Sequence, residues 1–193
     1  KGNIVIRSDN RGDGFFGANR RDYLKLALDK AEEMLKEGAD IIDLGGQSSR
    51  PGAKSISAKE EISRILPVVK FLAKKINAPI SIDTVRSEVA KAALDAGAQM
   101  INDISGLKDK RLASVAAKSN AAVVIMHMLG KPANMQKIIA YRSLTDDIIG
   151  YLKHAIERAE ANGIKPEKIV IDPGLGFGKN PEHNFQIINR LAD

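Results

Sequence analysis

Three polar side chains, Asp83, Asn102 and Asp172, stand at the ends of short apolar runs in this sequence. The runs are rich in β-branched residues and almost wholly apolar, which is typical of strands buried on both faces. A carboxylate at a buried strand end is costly to desolvate unless it has a partner, so the repetition indicates a polar ligand or a shared network. A flat heterocycle with a row of N–H donors would suit two carboxylates and an amide.

A glycine-rich segment, 172–179, follows the last of these runs directly and reads Asp-Pro-Gly-Leu-Gly-Phe-Gly-Lys. Its three glycines would let the backbone approach a flat ligand closely, and Phe177 could stack on that ligand. The alternative is a tight connection in which Asp172 accepts hydrogen bonds from the backbone.

The segment 45–52, Gly-Gly-Gln-Ser-Ser-Arg-Pro-Gly, offers hydroxyl groups, a guanidinium and flexible backbone together. Arg50 could bind a phosphate through two parallel hydrogen bonds, although a surface arginine is an equal alternative. His127 has the same ambiguity, because it could be a ligand or a structural histidine bonded to nearby backbone.

These groups must be positioned by six apolar runs that alternate with amphipathic helices, at 4–6, 41–44, 79–82, 100–104, 122–126 and 169–171. Gly38, Gly97 and Gly163 are predicted to end helices. Polar residues close nearly every run, which favours a barrel, where many strand ends meet at one mouth, over a doubly wound open sheet. A closed barrel needs eight βα units over about 250 residues. The prediction is therefore one α/β domain, 1–193, holding about six units of a (β/α)8 TIM barrel and incomplete at its C-terminus.

The composition excludes some functions. The chain has no cysteine, so a disulfide framework, a thiolate metal site and a thiol nucleophile are ruled out. Its formal net charge is +6, but Lys and Arg are mixed with acidic residues on predicted helix faces. That pattern predicts a solvated surface rather than a nucleic-acid partner, and the remaining charge favours an anionic small molecule. No membrane span or secretory leader is recognisable, so we expect a cytoplasmic location.

Six segments resemble, in order and spacing, the motifs of dihydropteroate synthase, the folate-pathway enzyme that joins a pterin diphosphate to 4-aminobenzoate: 38–43, 49–52, 81–84, 101–104, 126–128 and 172–179. The similarity runs from about residue 20 to the end of the chain. The resemblance implies a TIM barrel, transfer of a pterinylmethyl group to 4-aminobenzoate with diphosphate leaving, a Mg²⁺ cofactor and a homodimer.

The resemblance also implies roles for individual residues. Asp83, Asn102 and Asp172 would hold the pterin ring, and the two carboxylates would stabilise positive charge during catalysis. Arg50 would act in catalysis and, with Ser49, contact aminobenzoate and the leaving diphosphate. Further substrate contacts are implied for Ile104, Met126 (or Met128), Gly176 and Phe177.

The first strand and loop depart from the family's pattern. Val5 stands where the family has an asparagine that helps to hold magnesium, and Val5 has no oxygen donor for a hard cation. Arg7 and Arg11 also replace family residues, and Gln47 stands in place of a glutamate. Two rivals therefore remain: a non-catalytic pterin-binding paralogue, which these replacements favour, and a methyltetrahydrofolate-binding methyltransferase domain, which would have no use for Arg50.

Overall fold

The computed structural model describes residues 2–5, 20–48, 55–137 and 139–192, and of residues 2–5, 20 and 21 it describes the backbone alone. Within these ranges six strands alternate with six helices. The strands are β1 (Gly2–Val5), β2 (Ile42–Gly45), β3 (Ile80–Asp83), β4 (Met100–Asp103), β5 (Ala122–Met126) and β6 (Ile169–Asp172). The helices are α1 (Arg20–Lys36), α2 (Ala58–Leu72), α3 (Ser87–Asp95), α4 (Lys110–Lys118), α5 (Leu144–Ala161) and α6 (Pro181–Asn189).

The strands form one parallel sheet in the order β1-β2-β3-β4-β5-β6. Every strand therefore lies beside its neighbour in the sequence, which is the order of a β/α barrel and not that of a doubly wound sheet with a switch point. Among the described strands, β6 pairs with β5 alone, so the six units form an open arc. Five of the six predicted runs match their strands to within one residue. The first strand begins two residues earlier than predicted, and residue 6 lies outside the described residues.

The outer side of the sheet and the inner sides of the helices form the main core. Ile42, Leu44, Ile80, Ile82 and Ile101 are almost wholly buried there. Because successive side chains of a strand point to opposite faces, the residues between them face the inside of the arc. The helices of the described part are not long and apolar enough for any of them to cross a membrane.

Helix ends follow the local sequence. Ser57 caps α2 by accepting a hydrogen bond from the backbone N–H of Glu60 at 3.1 Å. After α1, Gly38 has φ +99°, and the following Ala39 N–H donates to the carbonyl of Met34 at 2.9 Å. This is the left-handed helix ending that glycine permits, and the predicted endings at Gly97 and Gly163 also have positive φ.

Candidate active site

Asp83 and Asn102 lie side by side on the inner face of the sheet, because they are register partners on β3 and β4. The Asn102 Nδ2 group donates to Asp43 Oδ2 at 3.2 Å, and Asp43 on β2 is wholly buried. Asp43 therefore fixes the rotation of the Asn102 amide. Opposite Asp83 on β2 is Gly45, and a Cβ built there would lie 3.5 Å from the Asp83 Cβ. The absence of a side chain at Gly45 leaves the surroundings of Asp83 open on that side.

Asp83 lines a cavity of about 340 Å³ at the carboxyl ends of the strands. Ile104 lines it as well, so two of the predicted site residues share this cavity. Its other walls come from four loops and from Glu61 on α2. The loop residues are Gln47, Ser48 and Ser55; Thr84 to Arg86; Ser105 and Lys108; and Met128 with Gly130 to Ala133.

A second hydrophobic cluster, separate from the main core, connects this cavity to the remaining predicted residues. Ile104, Met126, Met128 and Met135 are its buried members, and Phe177 packs against them. The structure thus brings Ile104, Met126 and Phe177 together as one apolar wall. Asn102, Met126, Asp172 and Phe177 are outside the lining of the 340 Å³ cavity.

Asp172 is the last residue of β6 and the register partner of Met126 on β5. It lies two residues nearer the mouth than the row of register partners that contains Asp83 and Asn102. Its Oδ1 accepts a hydrogen bond from the Gly174 N–H at 2.7 Å, and its carbonyl accepts from the His127 N–H at 2.9 Å. One carboxylate oxygen is therefore held by the local turn. The alternative of a tight connection is part of the structure, because Asp172 does accept a backbone hydrogen bond.

Two of the glycines of 172–179 allow close packing of the loop, a role that the sequence-based interpretation did not include. A Cβ built on Gly174 would lie 2.1 Å from the His127 carbonyl oxygen, and one on Gly178 would lie 2.9 Å from the backbone oxygen of Leu129. Both glycines have positive φ. They allow the loop to lie on the chain after β5. Gly176 alone of the three has open space around such a Cβ.

Lys179 and His127 form a buried pair beneath this loop, and both side chains are less than 5% exposed. The Lys179 Nζ lies 2.9 Å from His127 Nδ1 and donates to the carbonyl of Gly174 at 2.9 Å. Burial lowers the pKa of His127 to about 4, and the charge of Lys179 acts in the same direction. Burial also lowers the pKa of Lys179 to about 8, against the opposing charge of Asp172. The His127 ring is therefore paired with the Lys179 side chain, a partner that neither of its two sequence-based interpretations named.

Asp103 lies on the opposite face of β4 from Asn102 and does not join the predicted polar rim. It is wholly buried and accepts from the backbone N–H groups of Ser105 at 2.7 Å and Leu107 at 2.8 Å. Burial raises its pKa, while these hydrogen bonds lower it. Its role is to shape the turn that carries Ile104.

Ser49 and Arg50 lie outside the described residues, as do Arg7, Arg11 and the side chain of Val5. On the two described flanks of 49–54, Gln47 Oε1 accepts from the Ile56 N–H at 3.0 Å. Arg86 from the β3–α3 loop donates to the Ile56 carbonyl at 2.7 Å and forms an ion pair with buried Glu61. Gln47, in the place of a family glutamate, thus acts as a hydrogen-bond acceptor.

The described residues do not by themselves form a site for the Mg²⁺ that the resemblance implies. They contain no group of three or more His, Asp or Glu side chains placed to hold a metal ion. Val5, the counterpart of the family asparagine, supplies no side-chain oxygen. We therefore assign no chemical step to a metal.

Sequence reasoning did not identify Lys179 or Glu61 as buried polar residues, Arg86 as the ion-pair partner of Glu61, or Asp43 as the partner of Asn102. The signal for Asp43 was present, since a carboxylate inside an apolar strand is costly without a partner. The side-chain partners of Lys179 and Arg86, which are His127 and Glu61, are distant in sequence, and no local pattern marks them.

The chain is similar to known proteins in both sequence and structure. The family model "Pterin binding enzyme" matches residues 10–193. A dihydropteroate synthase from Synechocystis sp. is 40% identical over 182 residues, which are 94% of this chain and 63% of that relative. The chain thus spans less than two thirds of this curated relative's length.

Two solved structures confirm the barrel fold. The Yersinia pestis dihydropteroate synthase, solved with a sulfonamide drug complex, superimposes with a TM-score of 0.88 at 40% identity, covering 99% of this chain and 68% of that one. The Xanthomonas albilineans dihydropteroate synthase, solved with 4-aminobenzoic acid, gives a TM-score of 0.87 at 34% identity, covering 98% and 66%.

Proposed function

This chain belongs to the family of pterin binding enzymes, and from that membership we propose that the whole protein is a dihydropteroate synthase. It would condense 6-hydroxymethyl-7,8-dihydropterin diphosphate with 4-aminobenzoate and release diphosphate. The observation that carries the proposal is the pairing of Asp83 with an Asn102 amide fixed by Asp43, beside the apolar wall of Ile104 and Met126. The 4-aminobenzoic acid bound to the Xanthomonas relative supports the second substrate.

The polar groups suit a pterin ring. Carboxylates of Asp83 and Asp172 accept hydrogen bonds from ring N–H groups, and the Asn102 amide supplies a matched donor and acceptor. The apolar wall, with Phe177 packed against it, covers the flat faces of the ring.

In this reaction Asp83 and Asp172 act by stabilising charge and need not transfer a proton. The C–O bond between the pterin methylene and diphosphate breaks, and its electron pair leaves with the diphosphate oxygen. Asp83 and Asp172 stabilise the positive charge that develops on the pterin. The amine of 4-aminobenzoate then forms the C–N bond with its lone pair and releases a proton to water.

The remaining parts of the proposal rest on the resemblance. Arg50 would neutralise the leaving diphosphate and Ser49 would contact aminobenzoate, and both lie outside the described residues. Four further features also stay predictions: participation of Mg²⁺, a single domain over 1–193, a homodimer and a cytoplasmic location.

Substitution of Asp83 by Asn in the whole protein tests the proposal. The change keeps shape and removes charge, so we expect kcat to fall by about 10²- to 10³-fold while thermal unfolding is little changed. Asp40→Asn is the matched control, because Asp40 is exposed before the start of β2, at the end of the sheet opposite the mouth. Diphosphate release at an unchanged rate in Asp83→Asn would contradict the assignment.

Titration of the wild type with the pterin diphosphate and then with 4-aminobenzoate separates the alternatives. Diphosphate release supports the synthase. Pterin binding without release favours the non-catalytic paralogue, to which Val5 points. Absence of pterin binding would overturn every pterin-based function, including the methyltransferase domain.

A further inference from the structure

Lys179 makes an unusually complete set of contacts for a lysine. Its Nζ reaches the carbonyl oxygens of Gly174 at 2.9 Å, Phe177 at 3.1 Å and His127 at 3.4 Å, and His127 Nδ1 at 2.9 Å. The residue is 3% exposed. Lysine is rarely buried to this extent unless its ammonium is paired or fully hydrogen-bonded.

These contacts join two chain segments at the mouth of the arc. Gly174 and Phe177 belong to the loop after β6, whereas His127 immediately follows β5. An ammonium has three N–H donors and no acceptor. Beside a Lys179 ammonium, His127 Nδ1 therefore accepts through its lone pair, and the neutral imidazole ring carries its proton on Nε2. Lys179 therefore fastens the glycine-rich loop to the end of the neighbouring strand.

The contact between Lys179 and the Gly174 carbonyl also affects the position of Asp172. Gly174, whose carbonyl Lys179 holds, also donates its N–H to Asp172 Oδ1 at 2.7 Å. The same loop carries Phe177, whose carbonyl Lys179 also holds, onto the apolar wall.

Within the loop, the Phe177 N–H also donates to the Gly174 carbonyl at 3.1 Å. The following two contacts from side chains outside the loop hold only its far part. Tyr141 donates from its hydroxyl to the Gly178 carbonyl at 2.8 Å, and Gln136 donates to the Gly176 carbonyl at 2.7 Å. Neither reaches Gly174. Loss of Lys179 should therefore loosen the turn at Asp172 while leaving the remainder of the loop attached.

We propose that Lys179 is a positioning residue that sets the Asp172 carboxylate and Phe177 for pterin binding, without touching the substrate itself. This inference rests on the proposed function. Its mechanism is preorganisation: a carboxylate displaced by about 1 Å can lose up to about a hundredfold in binding or rate.

Lys179→Met in the whole protein is the direct test, because methionine keeps most of the stem and removes the donors. We expect the dissociation constant for 6-hydroxymethyl-7,8-dihydropterin diphosphate, measured by calorimetry, to rise by about ten- to a hundredfold. Hydrogen exchange should accelerate in the peptide spanning 172–178, where the Gly174 N–H is protected by Asp172. Lys165→Met is the control, since Lys165 is exposed before β6.

A general loss of stability would raise exchange throughout the protein, and the proposal requires a local rise. If Lys179→Met does not fold, Lys179→Gln tests the role of Lys179 by the same two measurements, the dissociation constant and hydrogen exchange. Glutamine keeps two N–H donors and should give intermediate changes in both.

The outcomes separate the two proposals. Affinity and local exchange within twofold of the wild type in Lys179→Met would overturn the role of Lys179. A wild type that binds no pterin diphosphate would overturn the proposed function instead, and the exchange measurement would still decide whether Lys179 holds the loop.

Discussion

His127 has to stay neutral for the Lys179 ammonium to donate to its Nδ1, and this makes stability depend on pH. Its pKa of about 4 is below its ordinary value of 6.5, so the unfolded chain binds more protons between these values. The free energy of unfolding should therefore fall as pH drops from 6.5 to about 4, by at most about 3 kcal/mol from this residue. Urea unfolding across that interval measures the slope.

His127→Gln isolates this contribution, because glutamine offers an acceptor oxygen and does not titrate. We expect its unfolding free energy to change less steeply over the same interval than that of the wild type. His154→Gln is the control, since His154 is exposed on α5. Equal slopes in the wild type and His127→Gln would show that His127 is not held neutral by the fold.

For single residues, the sequence indicated which side chains belong to the candidate site better than it indicated the contacts that those side chains make. The position of Asp83 at a strand end follows from one apolar run and needs no knowledge of other strands. The hydrogen bond between Asn102 and Asp43 joins positions 59 apart, and it depends on strand order and register. The glycines of 172–179 show the same limit. Their positive φ could be inferred locally, but the reason for Gly174 is a carbonyl at His127.

Elements were predicted more fully, because periodicity and capping are local properties. Glycine endings and apolar runs specify where helices and strands lie. What joins one βα unit to the next was not predictable. Glu61 on α2 is buried and accepts from Thr84 Oγ1 at 2.7 Å while it pairs with Arg86, so one carboxylate ties α2 to the β3–α3 loop.

Arg86→Met should destabilise the protein by about 3 kcal/mol, because it leaves the Glu61 carboxylate buried without its cation. Glu61→Gln combined with Arg86→Met should cost less than Arg86→Met alone, since no uncompensated charge then remains. Chemical denaturation of the two single variants and the double variant gives the coupling energy.

Lys91→Met is the comparison for this pair. Lys91 also pairs with a carboxylate, that of Asp95, but its side chain is 64% exposed. Its removal should cost less than about 0.5 kcal/mol. Additive effects of Glu61→Gln and Arg86→Met would mean that the pair is not the link between these elements.

For the whole molecule, the strand order makes β6 the end of the described sheet, and the apolar residues near it are exposed. Val170 and Ile171 on β6 are about half exposed. Phe185 and Ile188 on α6 and the following Leu191 are 53–70% exposed and recur every third residue. Phe185, Ile188 and Leu191 lie on one side of α6 and of the turn that follows it, and we call these three residues the end face. Apolar patches of this kind, next to a strand edge with unpaired backbone groups, promote association.

We therefore expect the 193-residue chain, when produced alone, to self-associate as its concentration is raised. Phe185→Lys together with Ile188→Glu should weaken that association, because each substitution puts a charge into the end face. Sedimentation velocity over a concentration series measures the change. Leu26→Lys is the control, since Leu26 is 49% exposed on α1 near the opposite end of the sheet order. If Leu26→Lys weakens association as much as the end-face substitutions do, the end face is not the contact surface. A wild-type chain that stays monomeric at every concentration refutes the expectation of self-association.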